Sequence, residues 1–175
     1  MVKTIIVKVK GIAPLLMNRF NPEPDTSSKR GKKVYVAEEE VVKKEYRNSD
    51  GKLFLPNTHF KASLIKSSTD FKMSGRKSYK DYVRAGVFIT PEEIILDQQE
   101  YVIHAEPVVI QRARVMSWRP KFKEWSCKFT MQVTDDSINV TTLKEILGFA
   151  GQYKGVGDYR PEYGRFEIVD FKEKK

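Results

Sequence analysis

Three glycines, two arginines and two tyrosines within residues 155–166 constrain the fold more than any other feature of this sequence. A helical pattern precedes the segment and an alternating strand pattern follows it. Glycine adopts positive φ and lets another backbone approach closely. Arginine and tyrosine clamp phosphates and stack on bases. We therefore predict that residues 155–166, which we call the glycine loop, hold a nucleic-acid backbone against their main chain. The alternative is that Gly155 and Gly157 only end the helix, with Pro161 as its stop signal.

A period of two in the apolar residues marks several strands along the chain. The best alternation starts at Trp125, which we therefore expect to lie in the core. The stretch that contains Pro107 is β-like but is expected to break at that residue. The predicted strands are residues 4–10, 52–55, 87–89, 94–96, 101–110, 125–134 and 165–171.

Two longer helices are predicted from their start signals and apolar spacing. The first begins at 56–58, with Asn57 or Thr58 as its N-cap, and the second is capped by Thr141 and Thr142. A short charged helix is expected at 37–46. The basic and aromatic segment 73–84 is expected to be a loop.

The predicted order of elements is βαββαβ, which is the pattern of a ferredoxin-like (RRM-like) α+β fold. Residues 1–175 would then form a single domain. Residues 21–55 would be an insertion between the first strand and the first long helix. The polar start of that insertion is expected to lie at the surface.

The charge of the chain bears on its partners rather than on its fold. The formal net charge of +9 makes nucleic acid the first candidate and an anionic membrane surface the second. Cys127 is the single cysteine, so an internal disulfide is excluded. No apolar stretch is long enough to span a bilayer, and we expect a cytoplasmic protein with no membrane partner.

Two motifs resemble those of the RAMP superfamily, the repeat-associated RNA-binding proteins of CRISPR complexes. The first is the glycine loop, with its spaced glycines, basic residues and closing Gly-Arg-Phe. The second is residues 53–65, which read Leu-Phe-Leu-Pro-Asn-Thr-His-Phe-Lys-Ala-Ser-Leu-Ile. That segment resembles the short strand, proline and helix with a basic position found in the family. The two motifs lie in the expected order on a βαββαβ pattern.

The resemblance implies single-stranded RNA binding, often by backbone subunits that stack along a guide RNA. It implies two kinds of protein partner, namely other CRISPR-like subunits and further copies of this chain along the strand. Some members of the family also cut RNA. The resemblance is to the superfamily rather than to one of its members. It also fits a viral or phage-encoded relative outside a CRISPR locus.

Basic and aromatic residues supply the candidate nucleic-acid contacts. Alternation would place Arg112 and Arg114 on one strand face, where they can bridge successive phosphates, while Trp118 can stack on a base. The alternative is a solvated hairpin with tryptophans in the core. The candidate nucleic-acid-binding residues are Lys61, Arg112, Arg114, Trp118, Arg119, Gly155, Gly157, Tyr159, Arg160, Tyr163, Gly164 and Arg165.

The candidates for catalysis are few. His59 could act as a general base, with Lys61 or Arg165 stabilising charge, although a histidine at a helix start is more often a packing residue. Asp25, in the insertion, could act in metal-assisted cutting as in some family members. His104 is expected to be structural. No Walker loop, dinucleotide fingerprint, nucleophile elbow or zinc spacing is present, so we expect no cofactor and no metal site.

We therefore expect a non-catalytic protein that binds single-stranded nucleic acid, RNA in preference to DNA. One alternative is a metal-independent endoribonuclease that uses His59. Another is an interaction protein that mimics or joins a CRISPR complex.

Overall fold

The computed structural model describes residues 1–21, 36–110 and 112–174. Within these ranges the chain forms a mixed α+β fold with antiparallel sheets. The strands are β1 (Lys3–Gly11), β2 (Leu15–Leu16), β3 (Phe54–Pro56), β4 (Lys72–Ser74), β5 (Lys77–Ser78), β6 (Val87–Thr90), β7 (Glu93–Ile95), β8 (Val102–Ile110), β9 (Ala113–Phe122), β10 (Ser126–Val133) and β11 (Phe166–Lys174). The helices are α1 (Ala37–Lys43), α2 (Asn57–Ser68), α3 (Lys80–Gly86) and α4 (Val140–Phe149), with a π-helical turn at Ala150–Lys154.

The main sheet has the strand order β11–β1–β10–β6. Alternate side chains of β1 and β10, such as Val7 and Phe129, are buried, as the period of two predicts. Phe60 of α2 and Leu147 of α4 lie in the same core, and the Phe60 and Phe129 rings are 4.7 Å apart. Both helices therefore cover one face of the sheet, while Lys8 on the other face is exposed. The prediction of an α+β fold is confirmed.

The second sheet, β2–β9–β8, is dominated by the β8–β9 hairpin, which lies between β7 and β10 in the chain. Its register pairs Val102 with Lys121 and Val109 with Arg114. The expected break at Pro107 is wrong, because β8 is an edge strand, where proline is tolerated. Arg112 lies in the hairpin turn with φ 68°, so the prediction that it shares a strand face with Arg114 is wrong.

The prediction of a loop at 73–84 is also wrong. The β4–β5 hairpin and α3 occupy this segment. Tyr79 and Val83, four residues apart, are buried in the core beside α2. Packing therefore orders a helix too short to be stable by itself.

The predicted helix caps are wrong as well. Pro56 precedes α2, and Asn57 donates its side-chain N–H to the carbonyl of Ile89 at 2.7 Å. Asn139 caps α4, since its Oδ1 accepts from the N–H groups of Thr141 (2.8 Å) and Thr142 (3.2 Å).

The core position of Trp125 is confirmed, because its side chain is buried and its Nε1–H donates to the carbonyl of Ala13 at 2.9 Å. Of the predicted insertion 21–55, residues 22–35 lie outside the described residues, and Asp25 with them. Among the helices that are described, none has the length and apolar character needed to cross a lipid bilayer.

Candidate nucleic-acid interface

The glycine loop lies against β2 and the segment that links β1 to β2. The N–H of Gly164 donates to the carbonyl of Pro14 at 2.8 Å, and the N–H of Asp158 donates to that of Leu16 at 2.9 Å. Within the loop, the N–H of Val156 donates to the carbonyl of Gly164 at 2.9 Å. The loop therefore packs against the protein's own main chain. The predicted contact of the loop with a nucleic-acid backbone stays a prediction.

The close packing explains why glycine stands at two of these positions. Gly157 and Gly164 have φ of 80° and 76°. A Cβ on Gly164 would lie 1.7 Å from the carbonyl oxygen of Val156, and one on Gly157 would lie 2.6 Å from that of Leu16. These glycines make room for protein backbone, so the predicted contact with a phosphate is not needed to account for them.

Two tyrosines lie side by side on the loop. Tyr159 is 56% exposed, and its φ of 54° is unusual for a bulky residue. Tyr163 is half-buried, with its ring centroid 5.9 Å from that of Tyr159. The Nζ of Lys121 lies 5.3 Å from the centre of the Tyr163 ring, and the His104 ring lies 5.7 Å from it. We call Tyr159, Tyr163, His104 and Lys121 the aromatic platform.

Sequence reasoning did not include Lys121 among the candidate binding residues and assigned His104 a structural role. The β8–β9 register places His104 opposite Arg119 and Val102 opposite Lys121, so His104 and Lys121 lie on one face of the hairpin. Alternation within each strand was visible in the sequence. The register between the two strands was not visible in the sequence, and only that register shows that His104 and Lys121 share a face.

The β8–β9 hairpin carries four of the predicted contacts, which differ in their exposure. Arg112 and Arg114 are exposed near the tip, while Trp118 is half-buried and pairs in register with Ala105. On the glycine loop, Arg160 is exposed and Arg165 is half-buried. The carbonyl of Arg165 accepts from the N–H of Ile12 at 2.9 Å.

Arg119 is buried and lies beside the glycine loop. Its Nη1 is 3.1 Å from Oδ2 of Asp158, which forms an ion pair, although the angle does not suit a hydrogen bond. Lys44 donates to Ser117 on the same hairpin at 2.8 Å. Burial lowers the pKa of Lys44, and the positive charge of Arg119 lowers it further.

Lys61 lies in a different environment from the one its predicted role requires. Its ammonium donates to the carbonyl of Val83 at 2.7 Å and to that of Val87, at the C-terminal end of α3. Burial lowers the pKa of Lys61 to about 8. A cation at this end of a helix is favourable, so the contact stabilises the fold locally.

His59 is mostly buried at the start of α2. Its Nδ1 is buried without a hydrogen-bond partner in the described part of the chain, and its ring packs edge-on against Tyr46 at 5.4 Å. Burial lowers the pKa of His59, and the charge of Arg160 lowers it further. The ring is therefore neutral at pH 7. Within the described ranges, no group of three His, Cys, Asp or Glu residues could hold a metal ion.

Comparisons with known proteins find likeness only at the level of structure. No protein-family model and no curated protein matches this sequence. The fold is similar to that of a chain in the cryo-EM structure of the type III-B Cmr-beta complex bound to cognate target RNA, with a TM-score of 0.67 and 8% identity. The match covers 99% of this chain and 61% of that one, so this chain spans about three-fifths of its length.

A CRISPR protein from Archaeoglobus fulgidus also matches, with a TM-score of 0.47 and 12% identity over 100% of this chain and 65% of that one. That similarity is too weak to support an argument. At 8% identity the likeness to the Cmr-beta chain concerns the fold alone.

Proposed function

We propose that this protein binds single-stranded RNA through the glycine loop and the β8–β9 hairpin. The observation that carries the proposal is the aromatic platform, in which an exposed tyrosine, a second tyrosine and a lysine lie together. Successive bases stack on such rings, and cations beside them attract the phosphates. Single-stranded DNA offers the same stacking and charge, so preference for RNA is a separate part of the proposal.

The fold supports this reading. We take the β11–β1–β10–β6 sheet with α2 and α4 to be a ferredoxin-like core, with residues 1–175 as one RAMP-like domain and 21–55 as its insertion. The structurally similar chain belongs to a CRISPR complex bound to target RNA. We therefore propose a relative of the RAMP backbone subunits, whether encoded by a CRISPR locus or by a virus. Its location in the cytoplasm stays a prediction.

The charged residues would extend the interface on both sides of the platform. Arg160 and Arg165 lie on the glycine loop, and Arg112 and Arg114 lie toward the tip of the hairpin. A single strand that crosses the platform would meet them in turn. Three glycines would contribute by shaping the loop, since protein backbone occupies the space that a Cβ would need. They are Gly155, Gly157 and Gly164.

Replacing the platform tyrosines tests this proposal. Tyr159→Ala or Tyr163→Ala should weaken binding of a labelled single-stranded RNA by about 5- to 150-fold, because base stacking on an aromatic ring contributes about 1–3 kcal/mol. Tyr153→Ala is the matched control, since Tyr153 is 58% exposed but packs against Phe149. Equal affinities for the three folded variants would remove the platform from the interface.

We further propose that the protein is not an enzyme and assembles with CRISPR-like subunits or with copies of itself along the strand. A head-to-tail contact between copies does not close, so it would extend along the bound RNA. Labelled RNA incubated with the protein, with and without magnesium, should stay intact.

A second candidate function is metal-independent cutting of RNA by His59. The observation that favours it is a neutral imidazole that packs against Tyr46 and whose pKa is lowered by burial and by the charge of Arg160. A neutral imidazole can accept a proton from a 2′-hydroxyl, and an arginine can stabilise the charge that develops. Cleavage that disappears in His59→Ala, while that variant still binds the RNA, would establish this function.

A further inference from the structure

Arg119 and Asp158 join two elements that are remote in the chain, namely β9 and the glycine loop. The Arg119 side chain is 10% exposed and that of Asp158 is 30% exposed. Lys44 donates to Ser117 at 2.8 Å, and Ser117 is two residues before Arg119 on β9. Asp158 is the one acid paired with Arg119 among the described residues, and Glu40, whose charge acts on Lys44, is already paired with Lys43. This cluster therefore holds more positive than negative charge.

The guanidinium of Arg119 is also short of hydrogen bonds. Its Nε is buried and has no partner in the described part of the chain, and its 3.1 Å contact with Asp158 has poor hydrogen-bond geometry. Buried polar groups normally make hydrogen bonds, so a buried guanidinium that lacks one requires an explanation. A phosphate matches the planar fork of arginine as a carboxylate does, and it has further oxygens that a second cation such as Lys44 can contact.

We propose that Arg119 and Lys44 form a phosphate-binding site, which the carboxylate of Asp158 occupies in the free protein. Asp158 is the more exposed partner and lies on the loop next to Tyr159, so an incoming phosphate reaches Arg119 by displacing it. The anion would be a phosphodiester of the strand bound on the aromatic platform. That assignment rests on the proposed function, whereas the anion site does not.

The sharpest test is to remove the charge of Asp158. Asp158→Asn should bind single-stranded RNA about tenfold more tightly than the native protein. The reason is that a phosphate would then bond to Arg119 without competition, and one hydrogen bond to a charged group changes affinity by about tenfold or more. Glu162→Gln removes one negative charge at an exposed position of the same loop. It reports the general electrostatic gain in affinity, which should be smaller than the gain for Asp158→Asn. Arg119→Gln in the Asp158→Asn background should abolish the gain.

Free pyrophosphate separates the site from the proposed function. It should raise the unfolding temperature of Asp158→Asn more than that of Glu162→Gln or of the native protein. If no variant binds RNA but this shift is present, the anion site stands and RNA binding fails. If Asp158→Asn matches Glu162→Gln with both probes, the anion site is refuted. Asp158→Ser provides a second variant, and failure of both to fold would show that the carboxylate is structural and overturn the proposal.

Discussion

Gly164→Ala should lower the free energy of unfolding more than any other glycine-to-alanine change in the glycine loop. Gly164 has φ of 76°, and a Cβ there would lie 1.7 Å from the carbonyl oxygen of Val156. The same residue donates to Pro14 and accepts from Val156, both through backbone hydrogen bonds. The added methyl group therefore cannot be accommodated unless the loop moves away from the β1–β2 segment.

The cost follows from three contributions. A left-handed backbone costs an alanine about 1–2 kcal/mol. Overpacking against backbone adds about 1–3 kcal/mol. If the loop moves instead, the two hydrogen bonds of Gly164 are weakened, at about 1 kcal/mol each. Since movement relieves the overlap, these terms do not fully add, and we expect a loss of about 3–5 kcal/mol.

Two other glycines isolate the contributions. Gly75 has φ of 55° and nothing within 4 Å of its would-be Cβ, so Gly75→Ala reports the backbone strain alone. Gly148 lies in α4 with open space around it, so Gly148→Ala should stabilise the protein by about 0.5–1 kcal/mol. Urea unfolding followed by circular dichroism measures all three. A loss for Gly164→Ala no larger than that for Gly75→Ala would refute the close packing of the loop.

Three further predictions concern Lys61, salt and assembly. Because the pKa of Lys61 is about 8 in the folded protein and 10.5 for an ordinary lysine, the unfolded chain binds more protons between these pH values. The free energy of unfolding, measured with urea, should therefore rise from pH 8 to pH 10. The rise should be smaller than that expected for one whole proton, because the side chain is half-exposed. Lys61→Met should not show this rise. If five phosphates are neutralised, the slope of log K for single-stranded RNA against log salt should be about −3.5, and a flat response in filter binding would exclude an electrostatic interface. Light scattering should detect particles that grow with RNA length, whereas one subunit per strand at every length would exclude assembly along the strand.

Local patterns in the sequence are enough to predict much of the fold. The alternation in β1 and β10 and the spacing of apolar residues in α2 and α4 predict these elements, because each pattern records which side of one element is buried. The position of the glycine loop is predictable for a similar reason, since positive φ is a property of single residues. The net charge and the tyrosines of that loop also point to nucleic acid without any knowledge of the fold.

The tertiary structure alone decides which of the predicted site residues face solvent. Lys61 and Arg119 resemble the exposed arginines in the sequence, yet Lys61 binds the end of α3 and Arg119 is buried against Asp158. Lys121 and His104 meet Tyr163 only after β8 and β9 have paired and the loop has packed beside them. Such contacts join residues that are far apart in the chain. Burial and charge pairing depend on those distant neighbours, so no local pattern contains them.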